Sequence, residues 1–121
     1  MKKLDFVKQN IKGKLRKDVS LKHYNTWKVG GNAEYFYEPD NLNDLTVFLN
    51  LVKDEQVTFL GNGSNVLIRD KGIKGFVVCL KNSLNNFSFD KEGIFTFEAG
   101  LSCMKIAQIS ARKNFSGLEF L

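Results

Sequence analysis

The sequence predicts an α+β chain organised around a β-α-β unit, and two patterns support this. Residues 33–38 alternate in polarity and stop at Pro39, which is typical of a strand. Residues 42–53 repeat apolar side chains at helical spacing, and residues 57–60 then form a short apolar run that favours a strand. Strand, helix and strand in this order imply a parallel pair of strands joined by a right-handed crossover.

The helix of this unit carries its own start signals. Asn41 or Asp40 can cap its first turn, and Asp44 lies where a carboxylate favours the helix dipole. The expected apolar stripe consists of Leu42, Leu45, Leu49 and Val52, with Phe48 beside it. We therefore expect this helix to pack one face on the sheet.

The chain before this unit predicts a helix and then an irregular segment. Leu4, Val7 and Ile11 recur at helical spacing, so a short basic helix is expected to dock on the body of the protein. Residues 14–32 show no clear period and are expected to be irregular. We describe residues 1–20 as a basic N-terminal arm or helix and residues 21–81 as a first subdomain.

The second half begins with residues 76–80, the most apolar run, which predicts a strand buried on both faces. A polar link follows and marks the start of a second subdomain at residues 82–121. Residues 87–89 and 94–98 alternate around a turn, which predicts an antiparallel hairpin. Ser102 can cap a last helix. One face of that helix is expected to hold Cys103, Ile106, Ala107 and Ser110.

The turn that follows residues 57–60 is the candidate site. Gly61 and Gly63 can adopt positive φ and have no Cβ to block a ligand, so consecutive N–H groups there can bind an anion. Ser64 and Asn65 add a hydroxyl and an amide. The pattern predicts a phosphate-binding turn at the end of a strand, although the same residues also occur in turns that bind nothing.

The charge distribution leaves binding to RNA or another polyanion open, and the composition argues against a membrane or secreted protein. Residues 1–28 hold nine of the 18 Lys and Arg but only two of the 13 Asp and Glu. A solvated basic segment explains this, with a small RNA- or polyanion-binding module as the alternative. The apolar runs are too short for a membrane span or a signal peptide, so a cytoplasmic protein is expected. Cys79 and Cys103 lack metal-type spacing, and both are interpreted as packing residues.

Four blocks, in this order, resemble the UDP-N-acetylenolpyruvoylglucosamine reductase (UDP-N-acetylmuramate dehydrogenase) family. They are TWKVGG at 26–31, LGNGSNVLIRD at 60–70, GIKG at 72–75 and SGLEFL at 116–121. The resemblance implies the N-terminal part of a vanillyl-alcohol-oxidase/PCMH-type FAD-binding domain. Its first subdomain would contain the β-α-β unit, and its second would begin at the hairpin.

The resemblance also implies the residues that contact the cofactor. The FAD diphosphate would lie against the central turn, formed by Gly61, Asn62, Gly63, Ser64, Asn65 and Val66. Gly30, in the earlier glycine pair, would lie near the cofactor. Gly100 would line the flavin, although Glu98 stands where the family has a glycine.

The activity implied by the resemblance is a reduction in peptidoglycan synthesis. NADPH reduces FAD, which then reduces UDP-N-acetylglucosamine enolpyruvate to UDP-N-acetylmuramate. The family's catalytic Arg, Ser and Glu have no counterpart in this sequence, so no catalytic residue is assigned, and no metal ligand either. The chain is expected to be an N-terminal fragment that is inactive alone. The alternative enzyme is another oxidoreductase on the same flavin-binding fold.

Overall fold

The computed structural model describes residues 2–118 and 120–121, so Met1 and Glu119 lie outside the described residues. The described residues form three α-helices, a four-stranded sheet and a separate two-stranded sheet, and the expected α+β class is confirmed. In chain order the elements are α1 (Lys2–Asn10), β1 (Lys14–Ser20), a short 3-10 helix (Leu21–Tyr24), β2 (Asn32–Glu38), α2 (Leu42–Leu51), β3 (Val57–Leu60), β4 (Ile73–Cys79), β5 (Phe87–Phe89), β6 (Phe95–Phe97) and α3 (Cys103–Arg112).

Strand β4 lies at the centre of the main sheet, whose strand order is β1-β2-β4-β3. Strands β2 and β3 each pair with β4 in parallel, so the two strands of the β-α-β unit are parallel but not adjacent. The expectation that they form a pair was wrong. Residues 76–79 are all buried, and a strand that is apolar on both faces is stabilised most in the middle of a sheet.

Strand β1 corrects the expectation that residues 14–32 are irregular. It pairs antiparallel with β2 along the outer edge of the sheet. Its basic side chains are exposed there, as is common on edge strands. Asp18 has a φ of 56°. The face of the sheet on which the apolar side chains of β1 pack differs before and after this residue. Leu15 packs with the helices, whereas Val19 packs on the opposite side, so no simple alternation is visible in the sequence.

The sheet has a helix-covered face and a loop-covered face. Helix α1 docks on the first through Val7, which is 1% exposed, so the expected docking is confirmed. Helix α2 centres on Phe48, which is fully buried and stacks on Tyr37 at 3.9 Å between ring centroids. Leu42, which was expected in the apolar stripe, is exposed. It lies in the first turn of α2, beyond the edge of the contact between the helix and the sheet. Loops cover the other face, and the buried side chains between them and the sheet are Leu21, Ala33, Phe36, Leu60, Ile68, Val77 and Cys79.

The predicted hairpin is confirmed by the antiparallel pairing of β5 with β6. Helix α3 follows and is capped by Ser102, whose hydroxyl accepts a hydrogen bond from the Lys105 N–H at 3.2 Å. The expected packing face is only partly correct. Cys103 is exposed, whereas Ile109 and Ser110 are buried, because α3 packs against the rest of the protein near its C-terminal end. The division of the chain into residues 1–20, 21–81 and 82–121 stays a prediction.

Asp44 joins the start of α2 to three other parts of the chain. Its buried carboxylate accepts hydrogen bonds from the Lys12 and Gly13 N–H groups at 2.7 and 2.8 Å. It also accepts one from the Tyr37 hydroxyl at 2.5 Å and one from the Asp40 N–H at 3.0 Å. Burial opposes ionisation, but these donors prevail and lower the pKa of Asp44. Burial, followed by the Asp44 hydrogen bond, raises the pKa of Tyr37.

Among the described residues, no helix combines the length and apolar character needed to cross a bilayer.

Replacing Asp44 tests this junction. We expect Asp44→Asn to lower the free energy of unfolding by about 2–4 kcal/mol at neutral pH, because one buried hydroxyl and three part-buried N–H groups lose a charged acceptor. The pKa of Asp44 is lower in the folded chain, so its contribution is present above the unfolded pKa of about 3.9 and is lost as the pH falls through the folded value. Urea unfolding followed by circular dichroism should therefore show the stabilities of the parent and the variant converging as the pH falls through the folded pKa of Asp44.

The matched control is Asp54→Asn, which removes an exposed carboxylate. We expect it to change the unfolding free energy by less than about 0.5 kcal/mol. An Asp44→Asn chain as stable as the parent at neutral pH would contradict the role given to this carboxylate.

Candidate functional site

The candidate site is the turn at residues 61–65, which leaves the carboxyl end of β3. Strands β2 and β4 run parallel to β3 and end at the same edge of the sheet. The Leu80 N–H donates to the Leu60 carbonyl at 2.9 Å, so the segment after β4 is joined to the start of this turn. Ligands of open parallel sheets bind outside the carboxyl ends of the strands.

The turn presents a run of backbone donors without protein acceptors. Within the described part of the chain, no N–H group of residues 62–68 donates a hydrogen bond. The side chains of Asn62, Ser64 and Asn65 make none there either, and Ser64 and Asn65 are exposed. Such N–H groups need either water or a ligand, and an anion can satisfy several of them together.

The two glycines of the turn have different roles. Gly63 has a φ of 67°, and a Cβ built on it would overlap the carbonyl oxygen of Tyr24. A Cβ on Gly61 would have no atom within 4 Å, and its φ is not in the left-handed region. The expectation that both residues use positive φ therefore holds for Gly63 alone. Gly63 allows the turn to pack on the protein, whereas Gly61 leaves open space beside the turn.

The segment at residues 26–31 packs against residues 63–69. The Thr26 N–H donates to the Gly63 carbonyl at 3.0 Å, and the Gly31 N–H donates to the Arg69 carbonyl at 2.9 Å. Between these bonds, a Cβ on Gly30 would lie only 2.6 Å from the Cβ of Ile68. Gly30, with a φ of 101°, is thus buried between the two segments. Its structural role is clear, and its cofactor contact stays a prediction.

Asn25 holds this loop in shape, although no sequence pattern marks it as a site residue. Its buried side-chain amide donates to the carbonyls of Leu21 and Val29 at 2.8 and 2.9 Å. Its oxygen accepts from the Val29 N–H at 3.4 Å. An asparagine in an irregular segment has no period or spacing that would have identified it.

Gly100 lies at the same edge of the main sheet but is enclosed by protein. Its N–H donates to the Leu84 carbonyl at 2.8 Å, and a Cβ would overlap the carbonyl oxygens of Leu80 and Ser83. These contacts are sufficient reason for a glycine, and flavin contact at Gly100 stays a prediction. The buried Ser83 hydroxyl beside it has no hydrogen-bond partner among the described residues.

Exposed cationic side chains lie on the two segments next to the turn. Lys28 lies on the neighbouring loop, and Arg69 and Lys71 follow the turn. Their charge favours an anion at the turn. Within residues 2–118 and 120–121, no three His, Cys, Asp or Glu side chains are grouped as a metal would require. His23, the single histidine, is exposed on the 3-10 helix.

Two bacterial proteins show what the chain is similar to. It is 39% identical over 116 residues to a UDP-N-acetylenolpyruvoylglucosamine reductase of Nitrosomonas eutropha, with 92% of this chain and 35% of the relative covered. It is 43% identical over 109 residues to the protein of the same name from Legionella pneumophila, with 89% and 35% covered. The chain thus spans about a third of the length of the curated relatives it matches.

The fold supports the same grouping. The crystal structure of UDP-N-acetylenolpyruvylglucosamine reductase from Thermus caldophilus superimposes with a TM-score of 0.61 at 26% identity. The match covers 90% of this chain and 36% of the Thermus chain. No protein-family model matches the chain. The fold class expected from the resemblance is confirmed by this structure.

The contrast between the two turn glycines gives a direct prediction. Gly63→Ala should lower the free energy of unfolding by about 2–4 kcal/mol, because its Cβ would overlap a backbone carbonyl and its positive φ disfavours alanine. Gly61→Ala should change it by less than about 1 kcal/mol, since its Cβ enters open space. Urea unfolding of both variants measures this difference. An equal loss of unfolding free energy in Gly63→Ala and Gly61→Ala would show that the contact at Gly63 does not fix the turn.

Proposed function

Because this chain is homologous to the UDP-N-acetylenolpyruvoylglucosamine reductase family over about nine tenths of its length, we propose that it forms the flavin-binding N-terminal part of such an enzyme. The cofactor is FAD and the reductant is NADPH. The reaction is the reduction of UDP-N-acetylglucosamine enolpyruvate to UDP-N-acetylmuramate, a cytoplasmic step of peptidoglycan synthesis.

The observation that carries this proposal is the run of backbone N–H groups at residues 62–68 that lack protein acceptors. The diphosphate of FAD is an anion with several oxygen acceptors, and a turn of this kind suits it. The exposed Ser64 hydroxyl and Asn65 amide can donate to the same oxygens. Open space at Gly61 allows a phosphate to approach the backbone. The residues present therefore fit the cofactor.

The chain's own residues bind and orient the cofactor in this proposal. Residues 62–65 would hold the diphosphate, and Val66 would extend the contact. Gly63 and Asn25 act indirectly, since they keep the turn and the adjoining loop in place. When bound, FAD supplies the hydride transfer that protein side chains cannot perform.

The remaining functions of the enzyme lie outside the part proposed here. The relatives are about three times as long as the matched region. We assign the substrate site and the proton donor of the complete enzyme to its other segments, so this chain alone binds FAD but does not catalyse the reduction. Residues 21–81 would form the first flavin-binding subdomain and residues 82–121 the start of the second, with Gly100 at its flavin-facing side.

Equilibrium dialysis of the purified chain against FAD tests the proposal. We expect binding that Ser64→Ala weakens by about tenfold or more, because a hydrogen bond to a charged phosphate is lost. Gly61→Val should abolish it, since the added side chain occupies the space beside the turn. NADPH oxidation with the enolpyruvyl sugar nucleotide should be absent.

The matched control is Ser88→Ala, which removes an exposed hydroxyl from β5. It should leave FAD binding unchanged. Circular dichroism must show that each variant is folded. Equal FAD affinity in the parent, Ser64→Ala and Gly61→Val would reject the turn as the diphosphate site, and turnover by this chain alone would reject its assigned role.

A further inference from the structure

Trp27 is the single tryptophan of the chain, and its side chain is left outside the core. It is 68% exposed, although tryptophan is usually buried over most of its surface. It lies in the loop that packs against the candidate turn. The large indole surface therefore has little contact with the rest of the described chain.

The contacts of the loop indicate where Trp27 lies. Thr26 is bonded to Gly63, and Gly31 is bonded to Arg69, so residues 26–31 and 63–69 run side by side in the same direction. Trp27 directly follows the residue that is bonded to Gly63, and residues 64–65 directly follow Gly63 itself. These are the exposed Ser64 and Asn65, in the middle of the run of unpaired N–H groups.

The backbone around Trp27 is held before any ligand arrives. The Lys28 N–H closes a turn onto the Asn25 carbonyl at 3.3 Å, and Asn25 is itself buried and bonded on both sides. Lys28 has a φ of 54°, a conformation that non-glycine residues adopt rarely. When a ring stacks on Trp27, the loop backbone would therefore lose little conformational entropy, and this small loss favours affinity.

We propose that Trp27 is the stacking platform for a planar ring of the dinucleotide whose diphosphate occupies the turn at residues 61–65. This inference rests on the proposed function. Both the adenine and the isoalloxazine ring have a π face that an indole can cover. Stacking on an aromatic side chain depends little on which ring is bound and contributes strongly to affinity. The indole surface would then be buried by the ligand and not by protein.

The experiment compares Trp27→Ala and Trp27→Phe with the parent chain. The affinity for FAD should fall about tenfold or more in Trp27→Ala and by less than about threefold in Trp27→Phe, which keeps an aromatic face. Phe6→Ala is the control, because Phe6 is 57% exposed on α1, on the opposite side of the sheet. It should bind FAD as the parent does.

The fluorescence of the parent gives a second readout, since all tryptophan emission comes from Trp27. We expect FAD to quench it. Titration with ADP and with FMN then identifies the ring, because only the ligand that carries the stacked ring should bind more weakly to Trp27→Ala than to the parent.

The outcomes separate this inference from the proposed function. If FAD binds to Trp27→Ala as tightly as to the parent, the stacking role is wrong and the flavin-binding proposal stands. If the parent binds FAD and Ser64→Ala does not, while Trp27→Ala loses affinity and Trp27→Phe retains it, both are supported. If the parent binds neither FAD, ADP nor FMN, both are overturned.

Discussion

The close backbone contact between residues 26–31 and 63–69 is the constraint on which the loop-covered half of the protein depends. Gly30 allows the first segment to approach Ile68, and Gly63 allows the second to lie against Tyr24 and Asn25, where a Cβ would collide in either case. Hydrogen bonds at either end hold them together. Because of this contact, Leu21 and Ile68 can close over the sheet and bury the core on that face. The shape of the candidate site follows from the same contact.

The opposite face of the sheet is held by a different kind of interaction. There a single carboxylate, Asp44, collects donors from the α1–β1 connection, from β2 and from the turn before α2. A buried charge is tolerated because its hydrogen bonds offset the cost of leaving water. Central strand β4 contributes to both faces, through Val78 on one and Val77 on the other.

The candidate site is made chiefly of backbone, and this explains why few distinctive side chains mark it. Its donors are peptide N–H groups, which every residue except proline possesses. What makes them available is the geometry of the turn, and that geometry depends on Gly63 and on the loop held by Asn25. In the proposed site, Trp27 and Ser64 would add side-chain contacts at the edge of this backbone surface. A ligand bound in this way is recognised by its charge and its flat ring, as a dinucleotide would be.

Sequence alone determined the features that depend on a few neighbouring residues. These include the cap at Ser102, the bounds of β3, the hairpin and the glycine-rich turn, whereas the choice of Asn41 over Asp40 as the cap of α2 came from the structure. Their signals are local because a cap, a turn or an alternating strand is completed within a few residues.

The tertiary structure decided the arrangements that join distant parts of the chain. Strand β4 separates β2 from β3, and basic β1 forms the edge, because burial across the whole sheet selects the strand order. Only the packed loops show that Gly63 meets protein while Gly61 faces open space. They also show that Trp27 stays exposed. Such outcomes depend on contacts between residues far apart in sequence, and no local pattern of residues encodes them.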